Sequence, residues 1–110
     1  MATNILSAKT YNGQEASPTY TSTVSSVSNI DIAAILTTGS TGQLKYTIQR
    51  KTANSDWYDA VDEHNQVLSF STFGDVDNGI NIAGLNAYAI RVKVEIISGA
   101  GTLNIEYESI

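Results

Sequence analysis

Between Tyr88 and Glu108 the chain alternates apolar and polar residues almost without a break. Tyr88, Ile90, Val92, Val94 and Ile96 share one side, while Ala89, Arg91, Lys93 and Glu95 share the other. Beyond Ser98-Gly99-Ala100-Gly101, Leu103, Ile105 and Tyr107 face one way, and Thr102, Asn104, Glu106 and Glu108 face the other. A period of two belongs to a strand with one wet face; a helix would repeat about every 3.6 residues. The Gly-rich segment between the two runs predicts a long antiparallel hairpin. Arg91 and Lys93 would then lie across from Glu106 and Glu108, in exposed pairs contributing at most about 1 kcal/mol each.

The same period recurs upstream. Leu44, Tyr46 and Ile48 alternate with Lys45, Thr47, Gln49 and Lys51. Shorter runs at Ile30–Ala34, Trp57–Val61, Val67–Ser71 and Ile80–Ile82 lie between loops rich in Gly, Asn, Asp and Ser. No window of helical length carries an i, i+3, i+4, i+7 apolar pattern. Seven to eight short strands therefore predict an all-β fold, an antiparallel β-sandwich of jelly-roll or Ig-like type. Residues 29–110 make the sandwich domain. Residues 1–28, rich in Ser and Thr and holding the single proline, Pro18, read as an N-terminal arm or edge strand. Deleting residues 1–24 is expected to leave a folded core and to weaken attachment or oligomerisation. The segment Ile35–Leu44 echoes Ile96–Leu103, which reads as two Gly-rich turns converging on similar chemistry.

Composition removes several function classes. The chain of 110 residues has no Cys, so disulfide frameworks, thiolate zinc sites and thiol nucleophiles are excluded. One His excludes multi-His metal centres. A net charge of −5 argues against nucleic acid, whose phosphates are bound by Lys and Arg. No apolar run approaches the roughly 18 residues of a membrane span. The opening MATNILSAKT lacks the apolar stretch of a signal peptide, so folding in a cytoplasm is expected. Ser, Thr and Asn total 33 residues while charged residues are only 15%, so the polar surface is largely neutral.

Four constellations could carry chemistry. Asp75, Asp77 and Asn78, just before Gly79, place hard oxygens as a calcium loop would, but no acidic residue follows at the bidentate position of an EF-hand. Asp56, Asp59, Asp62 and Glu63 surround Trp57 and Tyr58. Paired carboxylates there would suit glycoside hydrolysis, and the aromatics would suit stacking on a sugar ring. The simpler expectation is that Trp57 and Val61 face the core and the acids solvate the loop ends. His64 lies in a polar loop with no nucleophile motif beside it. Gly39-Ser40-Thr41-Gly42 lacks the Lys of a phosphate-binding loop. Neither an enzyme activity nor a cofactor is expected.

A series of segments resembles small β-sandwich structural proteins of tailed bacteriophages and prophages. It runs Ile30-Asp31-Ile32, Leu44 to Arg50, the pair Trp57-Tyr58, Ile80 to Tyr88 with Gly84 inside, and Tyr88 to Ile105. The resemblance covers about residues 28–110 and rests on packing motifs. It implies a virion component: a capsid auxiliary (decoration) protein, a head-fibre protein, or a tail or neck accessory. Such a protein is assembled in the host cytoplasm, acts as a homo-oligomer on a symmetric surface, and binds other virion proteins. It implies no nucleic-acid or membrane partner, and no binding residue carries over. The alternative is a carbohydrate-binding module whose glycan stacks on Trp57 and Tyr58, joined by Tyr11 or Tyr20. An exposed, coplanar Trp57–Tyr58 surface would favour the glycan; a buried Trp57 would favour assembly.

Overall fold

The computed structural model describes residues 2–110, which form strands and loops without a helix. The strands are β1 (Thr3–Asn12), β2 (Thr19–Tyr20), β3 (Val24–Val27), β4 (Ile30–Leu36), β5 (Gln43–Lys51), β6 (Tyr58–Asp59), β7 (Ser69–Phe73), β8 (Asn78–Ile82), β9 (Ala87–Ile96) and β10 (Ala100–Ser109). All pairings are antiparallel. Sheet I has the order β1-β10-β4-β8, and sheet II the order β2-β9-β5-β6. Strand β3 joins β2 along one side of β9, and β7 joins β6 along one side of β5. The seven to eight strands expected become ten because two edge tracks are each split in two. Numbered along the chain, the eight tracks run 1-8-3-6 in sheet I and 2-7-4-5 in sheet II. This is the double Greek-key wrapping of a jelly roll, so the sandwich is of that type and not Ig-like.

The predicted hairpin does not form. Strand β9 belongs to sheet II and pairs with β5, β3 and β2, whereas β10 belongs to sheet I and pairs with β4 and β1. The short connection Ile97-Ser98-Gly99 carries the chain from one sheet to the other. Each strand has one apolar side, and that pattern is satisfied equally by lying side by side or by facing across a core. Lys93 accordingly pairs with Glu95 of its own strand, Nζ to Oε1 at 3.8 Å.

The core is the space between the sheets. Ile32, Ala34, Leu103 and Ile105 enter it from sheet I, and Leu44, Tyr46, Ile48, Ile90, Val92 and Val94 from sheet II. Tyr88, by parity on the same side as Ile90, is instead 60% exposed, and its neighbour Ala87 is the one that joins the core. The N-terminal segment is part of this packing: Ile5, Tyr11, Val24 and Val27 are buried in it. Strand β1 closes one edge of sheet I, with register shifts after Asn4 and Leu6 and a left-handed Ala8. The Ala8 N–H donates to Asn104 Oδ1 at 2.9 Å, so the bulge is tied to β10.

Tyr46 is the largest fully buried side chain. Its ring stacks on Phe70 with centroids 4.6 Å apart, and its hydroxyl shares a 2.8 Å hydrogen bond with the Thr72 hydroxyl. Burial pushes the phenol up from 10.0 to about 12; the Thr72 bond opposes this and nearby Tyr11 adds slightly to it. A raised phenol favours the folded state below pH 10, and that contribution fades as the pH climbs through 12. At pH 8, Tyr46→Phe should cost about 1–2 kcal/mol, because the Thr72 hydroxyl loses its partner. Above pH 11 the gap should close, since phenylalanine cannot ionise. Urea midpoints of both proteins at the two pH values test this, and a constant gap would contradict it.

The two echoing segments meet in space at one end of the sandwich. Gly42 and Gly99 both have φ of +88° and pack Cα against Cα. A Cβ on Gly42 would lie 2.1 Å from Ser98 O, and one on Gly99 would lie 2.1 Å from Thr41 O. Around them the Thr41 N–H donates to Ala100 O at 2.9 Å, and the Ala100 N–H donates to Thr41 Oγ1 at 3.1 Å. The Gly13 N–H reaches Gly99 O at 2.7 Å and the Gly74 N–H reaches Gly42 O at 2.9 Å. Four loops are thereby tied together. Turn chemistry shapes each loop, and close approach of two backbones is what demands glycine at these two positions.

Candidate functional site

The outer face of sheet II carries the most distinctive surface. Register puts Arg91, Gln49 and Asp59 in one row across β9, β5 and β6. The Arg91 Nε–H donates to Gln49 Oε1 at 2.9 Å, and Gln49 Nε2 donates to Asp59 Oδ1 at 3.1 Å. Gln49 is buried although it points outward, so this row is fixed by its neighbours. Tyr20, aligned with Lys93, reaches over the row from β2. The Arg91 guanidinium carbon sits 3.8 Å from the Tyr20 ring centroid and 4.6 Å from that of Trp57. Lys51 Nζ lies 5.8 Å from the same Trp57 centroid.

Arg91 is thus held between two aromatic rings and oriented by an amide. Among the described residues only its Nε is hydrogen-bonded, so both terminal nitrogens lack a protein partner. A guanidinium fixed in this way has lost much of its rotamer freedom before any ligand arrives, and its planar fork matches a carboxylate. Lys45, Lys51 and Lys93 project from the same face by strand parity. Four of the chain's six cations therefore share one sheet face, on a protein whose net charge is −5.

Trp57 is half-buried by this stack and does not enter the core. The core position is taken by Ala60, 1% exposed, while Val61 is 43% exposed. The expected inward direction of Trp57 and Val61 is therefore corrected: parity follows Tyr58 and Ala60, and Trp57 is stabilised from outside by cations. Tyr58 is aligned with Arg50 and Asp59 with Gln49, so Trp57 and Tyr58 point to opposite sides of the sheet. They do not form one coplanar platform. The Trp57→Ala variant should lose about 1–2 kcal/mol, below the 3–5 typical of a buried tryptophan. Thermal unfolding checks this, and a loss above 3 kcal/mol would return the side chain to the core.

The remaining candidates are dispersed. Asp75 Oδ2 accepts from the Gly39 N–H at 3.0 Å, Asp77 Oδ1 accepts from the Leu36 N–H at 3.0 Å, and Asn78 donates to Ser71 O at 2.9 Å. The two carboxylates thus accept from backbone donors at the end of β4 and in the loop after it, and Asn78 serves a separate carbonyl. Among the described residues no three acidic or His side chains gather as a metal site would require. Asp62 Oδ1 accepts from the His64 and Gln66 N–H groups at 2.8 and 3.0 Å, closing a turn. Glu63 and His64 are exposed on that turn and line a cleft of about 500 Å³ with Arg50 and the loop before β9. Of the acids around Trp57, Asp59 and Asp62 are thus drawn into separate hydrogen bonds.

Sequence reasoning missed Arg91 as the centre of the surface. The signal that could have found it is its outward parity on a strand whose other outward neighbours are small or charged. No helix among the described residues is long and apolar enough to cross a membrane. No family model matches the chain, and no curated protein matches it. Among solved structures the chain is similar to the SPBc2 prophage-derived protein YomS, with 13% identity and a TM-score of 0.43, over 97% of this chain and 92% of that one.

Proposed function

We propose that this chain is a non-enzymatic structural protein of a bacteriophage virion, a capsid auxiliary, head-fibre or tail accessory protein that docks through the outer face of sheet II. The docking part is carried by the Tyr20–Arg91–Trp57 stack, a pre-oriented cation on an open sheet face. Aromatic and Arg side chains are the usual anchors of protein interfaces. The phage setting is supported by the sequence resemblance of residues 28–110. Jelly rolls serve both viral capsids and lectins, so the fold is compatible with this role without dictating it. The protein would be assembled in the host cytoplasm and carried on the particle.

Mass spectrometry of particles purified from the encoding phage or prophage is the direct test. The chain is expected as a stoichiometric component; absence from particles overturns the proposal. A glycan array with the wild type and Trp57→Ala separates the alternative. Glycan binding lost in the variant would replace docking by carbohydrate recognition.

A further inference from the structure

The outer face of sheet I is the electrostatic opposite of the face just described. Register aligns Glu106, Ala33 and Gly79 in one row, with Asp31 and Asn81 in the next. Ala33 and Gly79 are small, so the rows sink into a trough of about 520 Å³ with Asp31 and Glu106 among its lining residues. Asn81 Nδ2 donates to Asp31 Oδ1 at 2.7 Å, which holds that carboxylate over the trough. Sheet II offers a raised cation–aromatic cluster; sheet I offers a shallow acidic depression. The two surfaces lie on opposite sides of one sandwich.

We infer that the sheet II face receives the sheet I face of a second copy of this chain, with Arg91 of one copy engaging Glu106 and Asp31 of the next. Complementary charge argues for this occupant: the cations concentrate on one face of a chain that is otherwise acidic, and the matching carboxylates sit on its own reverse side. The Arg91 fork offers two unpartnered nitrogens to a carboxylate. A contact between two different faces is heterologous, so it propagates as a column or closes as a ring. This inference rests on the docking reading of the same sheet II face and names its partner.

The test uses two variants of the full chain, each spoiling one face. One carries Arg91→Ala with Lys93→Ala; the other carries Asp31→Lys with Glu106→Lys, so that the two spoiled faces cannot complement each other. Lys45→Ala with Lys93→Ala replaces the first if it unfolds by circular dichroism. Sedimentation of the wild type should show mass rising with concentration, with association weakened at least tenfold between low and high salt. Each variant alone should be monomeric. A mixture should form a complex of two chains and stop there, because each copy keeps one working face. A monomeric wild type, self-association of a single variant, or a mixture that stays monomeric would each overturn the stacking. A chain present on particles but monomeric in solution would overturn it while leaving the virion role intact.

Discussion

Replacing Gly42 or Gly99 with alanine should cost each protein at least about 3 kcal/mol, among the largest effects of any single methyl group in this molecule. Two costs combine. An L-residue at φ of +88° is strained by about 1–2 kcal/mol. The added Cβ would also lie 2.1 Å from a carbonyl oxygen of the opposite loop, which is backbone and cannot rotate away. Gly39 separates the two terms: its φ is +91°, yet nothing lies within 4 Å of its Cβ position. Gly39→Ala should therefore show only the conformational cost. Because both clashes force the same two loops apart, Gly42→Ala with Gly99→Ala should cost less than the sum of the singles. Urea unfolding of the four variants measures all of this. Equal losses at Gly39 and Gly42 would show that close approach contributes nothing.

Removal of residues 1–24 should abolish the folded state. The sequence pattern alone predicts a folded core without them, and the packing argues the reverse. Ile5, Tyr11 and Val24 are core side chains, and the Tyr11 hydroxyl donates to Thr41 O at 3.1 Å. Losing large buried side chains costs about 2–5 kcal/mol each, which together rivals the whole stability of a small domain. The truncation would also bare the length of β10, an unpaired edge open to aggregation. Truncated protein is expected to be insoluble or to lack a cooperative unfolding transition. A synthetic peptide of residues 1–24 supplied in trans should restore solubility by rejoining the edges. A truncated chain with a cooperative transition near that of the full protein would refute the prediction.

The alternation of Leu44 to Lys51 and of Ile90 to Ile96 was enough to read strands, their wet sides and a sandwich. What it could not specify is which strand lies beside which. The inward sides of β9 and β10 look alike whether the strands pair or oppose, so the crossing between Ile96 and Ala100 is invisible in the pattern. Direction also failed where size was taken as its guide. Trp57 is the bulkiest residue in its segment, yet Ala60 is the one that fills the core. The energy that turns Trp57 outward comes from Arg91 and Lys51, residues remote in sequence whose arrival depends on the register of β9 and β5. Asp75 and Asp77 carry a related ambiguity. A carboxylate placed to cap a backbone N–H has the same local sequence as one placed to hold a cation, and only the neighbouring β4–β5 loop distinguishes them.

The pairing of β1 with β10 has a consequence in time. Thr3 is aligned with Tyr107, so β1 must wait until β10 has been made. At ribosomal speed that is about 5–20 s, far longer than a local hairpin needs to form. During the delay the nascent N-terminal segment has no partner. Its wealth of Ser and Thr, and its scarcity of large apolar residues, keep it soluble through that interval. The composition of this segment is therefore matched to the order of synthesis as well as to its place at the edges of the sandwich.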